Sequence, residues 1–563
     1  MHHTFVGFLC FLALSLPLVA APQLQPGAIV NGASFAVSGA PHGAIAQGSL
    51  FSVFGVDVGP LTAVRALAFP LPTRLGEVTV KVTAEGRQFE CILLYASSTQ
   101  VSGILPSDVP VGTASLVLFY GTASTKPIEF TVAARSFGMF SRNSTGAGLS
   151  LIQNYISPDN QPANGLGESA LPGQIEVLWG TGLGASLNAD DRNPPAPGNL
   201  LDLDEIRVYV GGKEAAVQYA GRSGCCSGVD QVNFVVPEGV AGCFVPVFVT
   251  VAGVPSNFTT MAVASAPGVC EGAFGLSKQD LEPLLEQETI RTGFVSLQRT
   301  RIENPFFSFS SDSGLVKFAE FTQEGLQASG QNMVDAALPV GTCMVTSFRH
   351  DSFKVEGRPV APDPLDLYRV RELNAGGVIT VTGPLGYRFM SVSQGSPGTY
   401  EGSLSTGPNP LQAFLLPGPY TIGNGVGGNE IGQFAFTRNV ASFDPWTNRS
   451  AIATIPRSQG LSVSWEPGLN VFGVVAISAQ SLSVPKKVAS SLTCYAPALP
   501  GSFTIPAYVL SAMVESDTGP LMVESIGSLS FRGISRPARF EAPGIDLGIF
   551  SSSSSESKEV IFQ

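Results

Sequence analysis

Charge is scarce in this sequence: 13% of its 563 residues are Asp, Glu, Lys or Arg, and they sum to a formal −12. No dense Lys/Arg run occurs, which excludes the basic footprint that nucleic acid or an anionic lipid surface selects. Histidine is rarer still, four in all, with His2 and His3 at the N-terminus. His42 and His350 are left to serve a Ser-His-Asp site, but no G-x-S-x-G elbow accompanies them, so a surface position is expected for both. Long apolar runs are absent after the first 20 residues, and no transmembrane helix is expected beyond them.

Glycine and proline are plentiful instead. There are 63 Gly and 42 Pro among 44% apolar residues, many of them Val, Ile and Phe. Together with abundant Thr, this composition favours strands and turns, and the apolar share is enough for real cores rather than disorder. The length calls for several domains. At the start, "FVGFLCFLALSLPLVA" (5–20) followed by small residues has the pattern of a secretory signal peptide, residues 1–21, with an uncleaved anchor as the alternative.

The stretch "VLWGTGLG" (177–184) has the glycine spacing of a phosphate loop, but no helix can follow it. Pro194, Pro195, Pro197 and Gly198 come next, and a dinucleotide site needs helix amides directly behind the glycines. A repeat explains the glycines better. "GSLFSVFGVDVGP" (48–60) answers "GQIEVLWGTGLGA" (173–185), aligning Gly55 with Gly180. "EVTVKV" (77–82) answers "EIRVYV" (205–210), and "TQVSGILPSDVPVG" (99–112) answers "DQVNFVVPEGVAG" (230–242). Two modules in tandem, offset by about 125 to 132 positions, are expected to be β-sandwiches in which those glycines shape a strand exit.

The quoted motifs, with "NGASF" (31–35), "LPTRLGEVTV" (71–80), "LYASSTQV" (94–101) and "VAGVPSN" (251–257), resemble TIG/IPT domains, and more closely the Solibacter-type exported acidobacterial repeat family. The resemblance covers about residues 28–266 and implies tandem immunoglobulin-like folds, with no activity assigned. The sequence departs from the pattern at Ser102-Gly103, where the second repeat has Asn233-Phe234, so an irregular strand is expected there.

Seven cysteines follow the leader, and in an exported chain they favour disulfides. Cys225, Cys226, Cys243 and Cys270 crowd the second repeat and are the disulfide candidates. A bond from Cys243 to one of the adjacent pair, with Cys270 tied to the other, is the expected scheme, although sequence alone does not choose the partners. Adjacent Cys225-Cys226 lacks C-x-x-C spacing, so zinc is not expected. The acids of "NADDRN" (188–193) and "DLDE" (202–205) lack a calcium-loop spacing and read as solvated turns.

The expected division is a leader (1–21), two immunoglobulin-like sandwiches (25–135 and 136–268), a β-rich C-terminal region of one or two subdomains (271–550), and a polar tail (551–563). One short helix is expected at "LSKQDLEPLLEQETI" (276–290), capped by Ser277 or Asp280, with Pro283 tolerable only in its first turn. A second glycine decoy, "GNGVGG" (423–428), precedes alternating "QFAFT" and reads as a hairpin turn. Trp179, Trp446 and Trp465 are sugar-stacking candidates that more often belong to cores. The chain is thus expected to be a mostly β, exported, non-enzymatic binding or scaffolding protein without metal or cofactor. Its partner would be an extracellular protein or polysaccharide, not nucleic acid and not a membrane it spans. The alternative is a polysaccharide-active enzyme with a carboxylate pair in the C-terminal region.

Overall fold

The computed structural model describes residues 21–185, 191–194, 196–201, 205–272, 277–303, 308–322, 325, 338–349, 370–405, 413–441, 445–467, 473–516 and 527–563. Residues 1–20 of the expected leader, and His350, lie outside them. The fold is mostly β: tandem immunoglobulin-like sandwiches precede a large β-rich region. No described helix is long and apolar enough to cross a membrane.

Alternating burial marks one sheet of the first sandwich, and short apolar runs mark the other. Its first sheet holds β1 (Gln23–Asn31), β2 (Leu50–Val56), β4 (Ile92–Ala96) and β5 (Gln100–Ile104), in the order β1-β2-β5-β4. Its second holds β3 (Val78–Ala84), β6 (Gly112–Tyr120) and β7 (Ile128–Ala133), with β6 central. Val78, Val80 and Val82 point inward onto Phe51, Val53 and Val101 in one core, while Lys81 faces outward.

The second sandwich repeats this order. β8 (Gly138–Met139), β9 (Ile175–Thr181), β11 (Val217–Arg222) and β12 (Asp230–Val235) form one sheet; β10 (Ile206–Val210), β13 (Gly242–Val251) and β14 (Thr259–Val263) form the other. Gly55 pairs with Leu24 and Gly180 with Met139, so both glycines occupy the same next-to-last strand position. A Cβ at Gly55 would lie 2.4 Å from the Gln23 carbonyl, and one at Gly180 2.5 Å from the Gly138 carbonyl. Close backbone approach, rather than positive φ, is what requires glycine here. The irregularity expected at Ser102-Gly103 is not in that strand, which pairs with β2 in unbroken register. It lies in the neighbouring strand, as a bulge between Leu93 and Tyr95 that recurs between Val217 and Tyr219.

The helix expected at 276–290 is shorter: α1 spans Lys278–Leu285. The Ser277 N–H and hydroxyl both donate to the Asp280 carboxylate (2.8 and 2.9 Å), fixing its start. Pro283 sits inside it, beyond the first turn, and without an N–H to donate it shortens the helix, which ends two residues later.

The C-terminal region is dominated by one sheet. Its strands are β15 (Thr289–Glu303), β16 (Ser308–Thr322), β17 (Thr342–Arg349), β18 (Val378–Gly383), β19 (Gly386–Ser393), β20 (Ser396–Ser403), β21 (Gly418–Gly423), β22 (Ala435–Val440), β23 (Val474–Ser483), β24 (Val488–Pro497), β25 (Gly527–Ile534) and β26 (Leu547–Glu559). They run in the order β17-β24-β23-β25-β26-β15-β16-β20-β19-β18-β21-β22. The seam β26/β15 is parallel. The expected polar tail is corrected by this arrangement: Ser551, Ser552 and Ser553 are buried in a central strand, all three laddered to β15, with Ser553 also paired to β25 and the Ser552 backbone bonded to Ser535. Low sequence complexity concealed a strand whose first seven residues, Leu547–Ser553, are all buried.

Candidate binding face of the C-terminal sheet

The glycine loop "GTGLG" does hold a carboxylate, and it is the chain's own. The Gly182 and Leu183 N–H groups both donate to Asp230 Oδ2 at 2.7 Å, and Arg222 Nη1 lies 2.8 Å from Oδ1. Burial pushes the Asp230 carboxyl above its ordinary range, against the opposing pull of Arg222 and the two amides. The cradle is therefore filled from within. It also lies at the junction of the sandwiches, where Thr181 Oγ1 accepts from the Leu50 N–H (2.9 Å) and donates to the Gly228 carbonyl (2.6 Å). The second decoy is closed similarly. Asn424 is buried, donating to the Ala375 and Gly432 carbonyls (3.0 Å each) and accepting from the Phe434 N–H (2.8 Å) in the hairpin β21–β22.

His42, expected at the surface, is buried in the first repeat, where desolvation lowers its pKa to about 4 and keeps it neutral. Asp191, from the turn 188–193, accepts from the Ser107 N–H and hydroxyl (2.8 and 2.9 Å) rather than standing solvated. Asp202 and Asp204 fall outside the described residues. In the C-terminal region, Arg371 pairs with both Glu320 (3.0 Å) and Glu430. Hydrogen bonds from Arg371 hold Glu320, and one from the Asn374 amide together with Arg371 holds Glu430, below the usual carboxylate range. A proton-donating general acid needs the opposite shift. Trp446 and Trp465 are core residues against Phe531, and Trp179 Nε1 donates to Gln153 Oε1 (2.8 Å).

The cysteine quartet forms bonds in a different pairing from the expected one. Cys243 is joined to Cys270 and Cys225 to Cys226, with Cα separations of 5.2 and 3.8 Å. Cys343–Cys494, outside the quartet, links directly opposed residues of β17 and β24. The Cys243–Cys270 bond ties β13 to the exit of the second repeat, and it stands in one apolar cluster with Leu281 and Leu284 of α1 and Leu547 and Ile549 of β26, whose packing joins that exit to the large sheet. Closing its 27-residue separation is worth roughly 3.5 kcal/mol in the chain-entropy account. Cys91 is a free, buried thiol whose pKa burial raises.

The sequence reading missed the outward face of β16, β20, β19, β18, β21 and β22. Register places Leu315 opposite Glu401, Glu401 opposite Ser391, and Ser391 opposite Val378. A second row runs Tyr387, Thr382, Thr421, Thr437. The opposite face carries Ile379, Val381, Met390, Tyr400, Tyr420 and Ile422 into a core. Tyr387 is 60% and Phe389 53% exposed, with ring centroids 5.3 Å apart and planes tilted by 59°. Thr421 and Thr437 hydroxyls bond at 2.8 Å, and Ser393 donates to Glu401 at 2.7 Å. The signal was present in "GYRFMSV": period two sets Tyr387 and Phe389 against Arg388 and Met390, but sequence does not say which set faces solvent. A sheet face of hydroxyls around two open rings is suited to binding by stacking and hydrogen bonding.

No family model matches the chain, and no curated protein matches it. Among solved structures, domains 5–6 of the S-layer protein SbsC align with 44% of this chain and 99% of that one, at 12% identity and TM-score 0.17. Titin domains A168–A170 align with 75% of this chain and 98% of that one, at 10% identity and TM-score 0.12. The ectodomain of mouse nectin-like molecule 4 aligns with 71% and 97%, at 12% identity and TM-score 0.12. The fold assignment rests on the sheets described above, not on these alignments.

Proposed function

We propose that the chain is an exported binding and scaffolding protein that holds the open face around Tyr387 and Phe389 toward an extracellular partner. In this reading residues 1–21 are a cleaved leader, 25–135 and 136–268 are TIG/IPT-like modules of the Solibacter-type family, and 271–550 is the displaying region, extended by β26. Cys225, Cys226, Cys243 and Cys270 are then oxidised, as suits an exported chain. The observation that carries the reading is the outward face itself. Exposed aromatic side chains among hydroxyls, on a sheet backed by a core, are what a binding surface requires and a stability role does not.

The test has two parts. N-terminal sequencing of the protein recovered from source cells is expected to begin near Ala21 or Pro22, and Met1 retained on a cytoplasmic protein overturns the export reading. The purified mature chain is expected to be retained by envelope material from the same cells. Retention unchanged in the double variant Tyr387→Ala/Phe389→Ala overturns the binding face.

A further inference from the structure

We infer that the ligand of this face is a neutral polysaccharide, lying across Tyr387 and Phe389 and hydrogen-bonded by the threonine and serine rows. The inference rests on the binding reading above and names the partner's chemistry.

Charge argues first. Across the described outward-facing residues of the six strands, Lys317 and Glu401 are the charged side chains, one of each sign, although the chain carries −12 overall. A polyanion gains nothing at such a face and is repelled by the rest of the molecule, and a polycation is drawn elsewhere. Side-chain chemistry argues second. A sugar ring offers an apolar C–H face and a rim of hydroxyls, and Tyr387 and Phe389 offer open aromatic faces bordered by Thr380, Thr382, Thr421 and Ser391. Each hydroxyl is both donor and acceptor, as recognition of other hydroxyls requires. The ready-made Thr421–Thr437 and Ser393–Glu401 bonds hold part of this rim in place before a ligand arrives. Shape argues third. The two rings are tilted by 59° and make no flat table, so the face suits a single soluble chain that can twist between them, not a crystalline polymer surface.

The test uses the mature full-length chain, with soluble neutral polysaccharides (a β-glucan, a galactomannan, an amylose) and anionic ones (an alginate, a polygalacturonate) cast into native gels, alongside envelope retention. Retardation by at least one neutral polymer, insensitive to added salt, is expected, and Tyr387→Ala/Phe389→Ala is expected to weaken it at least tenfold with an unchanged thermal midpoint. Thr382→Val, which keeps the side chain's shape and removes its hydroxyl, is expected to weaken it less. Periodate oxidation of the envelope material, which cleaves sugar diols, is expected to abolish retention even if no panel polymer binds. Retention that needs Tyr387 and Phe389 yet survives periodate points to a protein partner or a second copy of this chain. That outcome overturns the inference and leaves the binding face standing. Salt-sensitive binding confined to the anionic polymers also overturns it, and retention indifferent to the double variant removes both readings.

Discussion

The two sandwiches share one strand order but not one environment. In the first, β6 alternates between core and outward positions; in the second, every residue of the equivalent β13 is buried. Lys81 of the first repeat occupies the position of Tyr209 in the second, and their opposed partners are Val117 and Phe248. Lys81 is half-exposed and pairs with Glu90, whereas Tyr209 stacks on Phe248 and on Tyr508 of the C-terminal region, with ring centroids 4.9 and 4.5 Å apart. A single outward position, cationic in one module and aromatic in the other, thus separates a free sheet face from a docked one. The inner faces differ as well. Phe51 stands opposite Gly103 in the first repeat, and Glu176 stands opposite Phe234 in the second. The aromatic ring has crossed the ladder to the neighbouring strand, and a carboxyl has taken its old place in the core.

Paired substitutions sharpen this contrast. Phe248→Ala is expected to cost about 4 kcal/mol, because its ring is buried between Tyr209 and Phe258, whereas Val117→Ala at the matching, partly open position costs about 1 kcal/mol. Denaturant unfolding of the two variants checks it, and equal losses break the comparison. Asp230→Ala, which strands the buried Arg222, is expected to cost about 3 kcal/mol, against under about 0.5 kcal/mol for Thr99→Ala, whose backbone carbonyl alone receives the Gly55 N–H.

Glu176 gives the smallest effect at low pH and a growing one above it. Burial raises its pKa from 4.5 to about 9, so the folded state favours the protonated acid. Its stabilising share is complete below pH 4.5 and is lost as pH climbs toward 9, approaching about 1.4 kcal/mol per pH unit in the limit. Glu176→Gln is therefore expected to match the wild type near pH 4.5 and to melt progressively higher than it toward pH 9. Thermal melts across that range check the sign, and a constant gap refutes the assignment. Reducing Cys243–Cys270 is expected to lower the midpoint of the second repeat without moving that of the first.

The repeats were legible because their glycines answer a backbone constraint that no other residue meets, and the strands around them alternate cleanly. The environment of the second repeat was not, because "GCFVPVFVTV" reads the same whether its outer side meets water or another domain. Cysteine crowding pointed to disulfides, but the partners depended on how the segment after β14 brings Cys270 back against Cys243 of β13. His42 and the serine run were misplaced for one reason: polarity was equated with exposure, whereas both are enclosed by packing from distant segments. Tyr387 and Phe389 were hidden by the converse, an alternation whose outward member happened to be aromatic.

The parallel seam has a consequence in time. β15 pairs with β26, and Arg291 donates its N–H to Asp546 at a sequence distance of 255 residues. Until Leu547–Glu559 arrives, β15 and β25 are two raw strand edges, and the large sheet exists only as unjoined halves. The first sandwich closes from contacts within its own stretch of chain. A polypeptide emerging N-terminus first can therefore set its leading module early, while the large C-terminal sheet waits for a late clasp and stays vulnerable to proteases and to neighbours until that strand threads in.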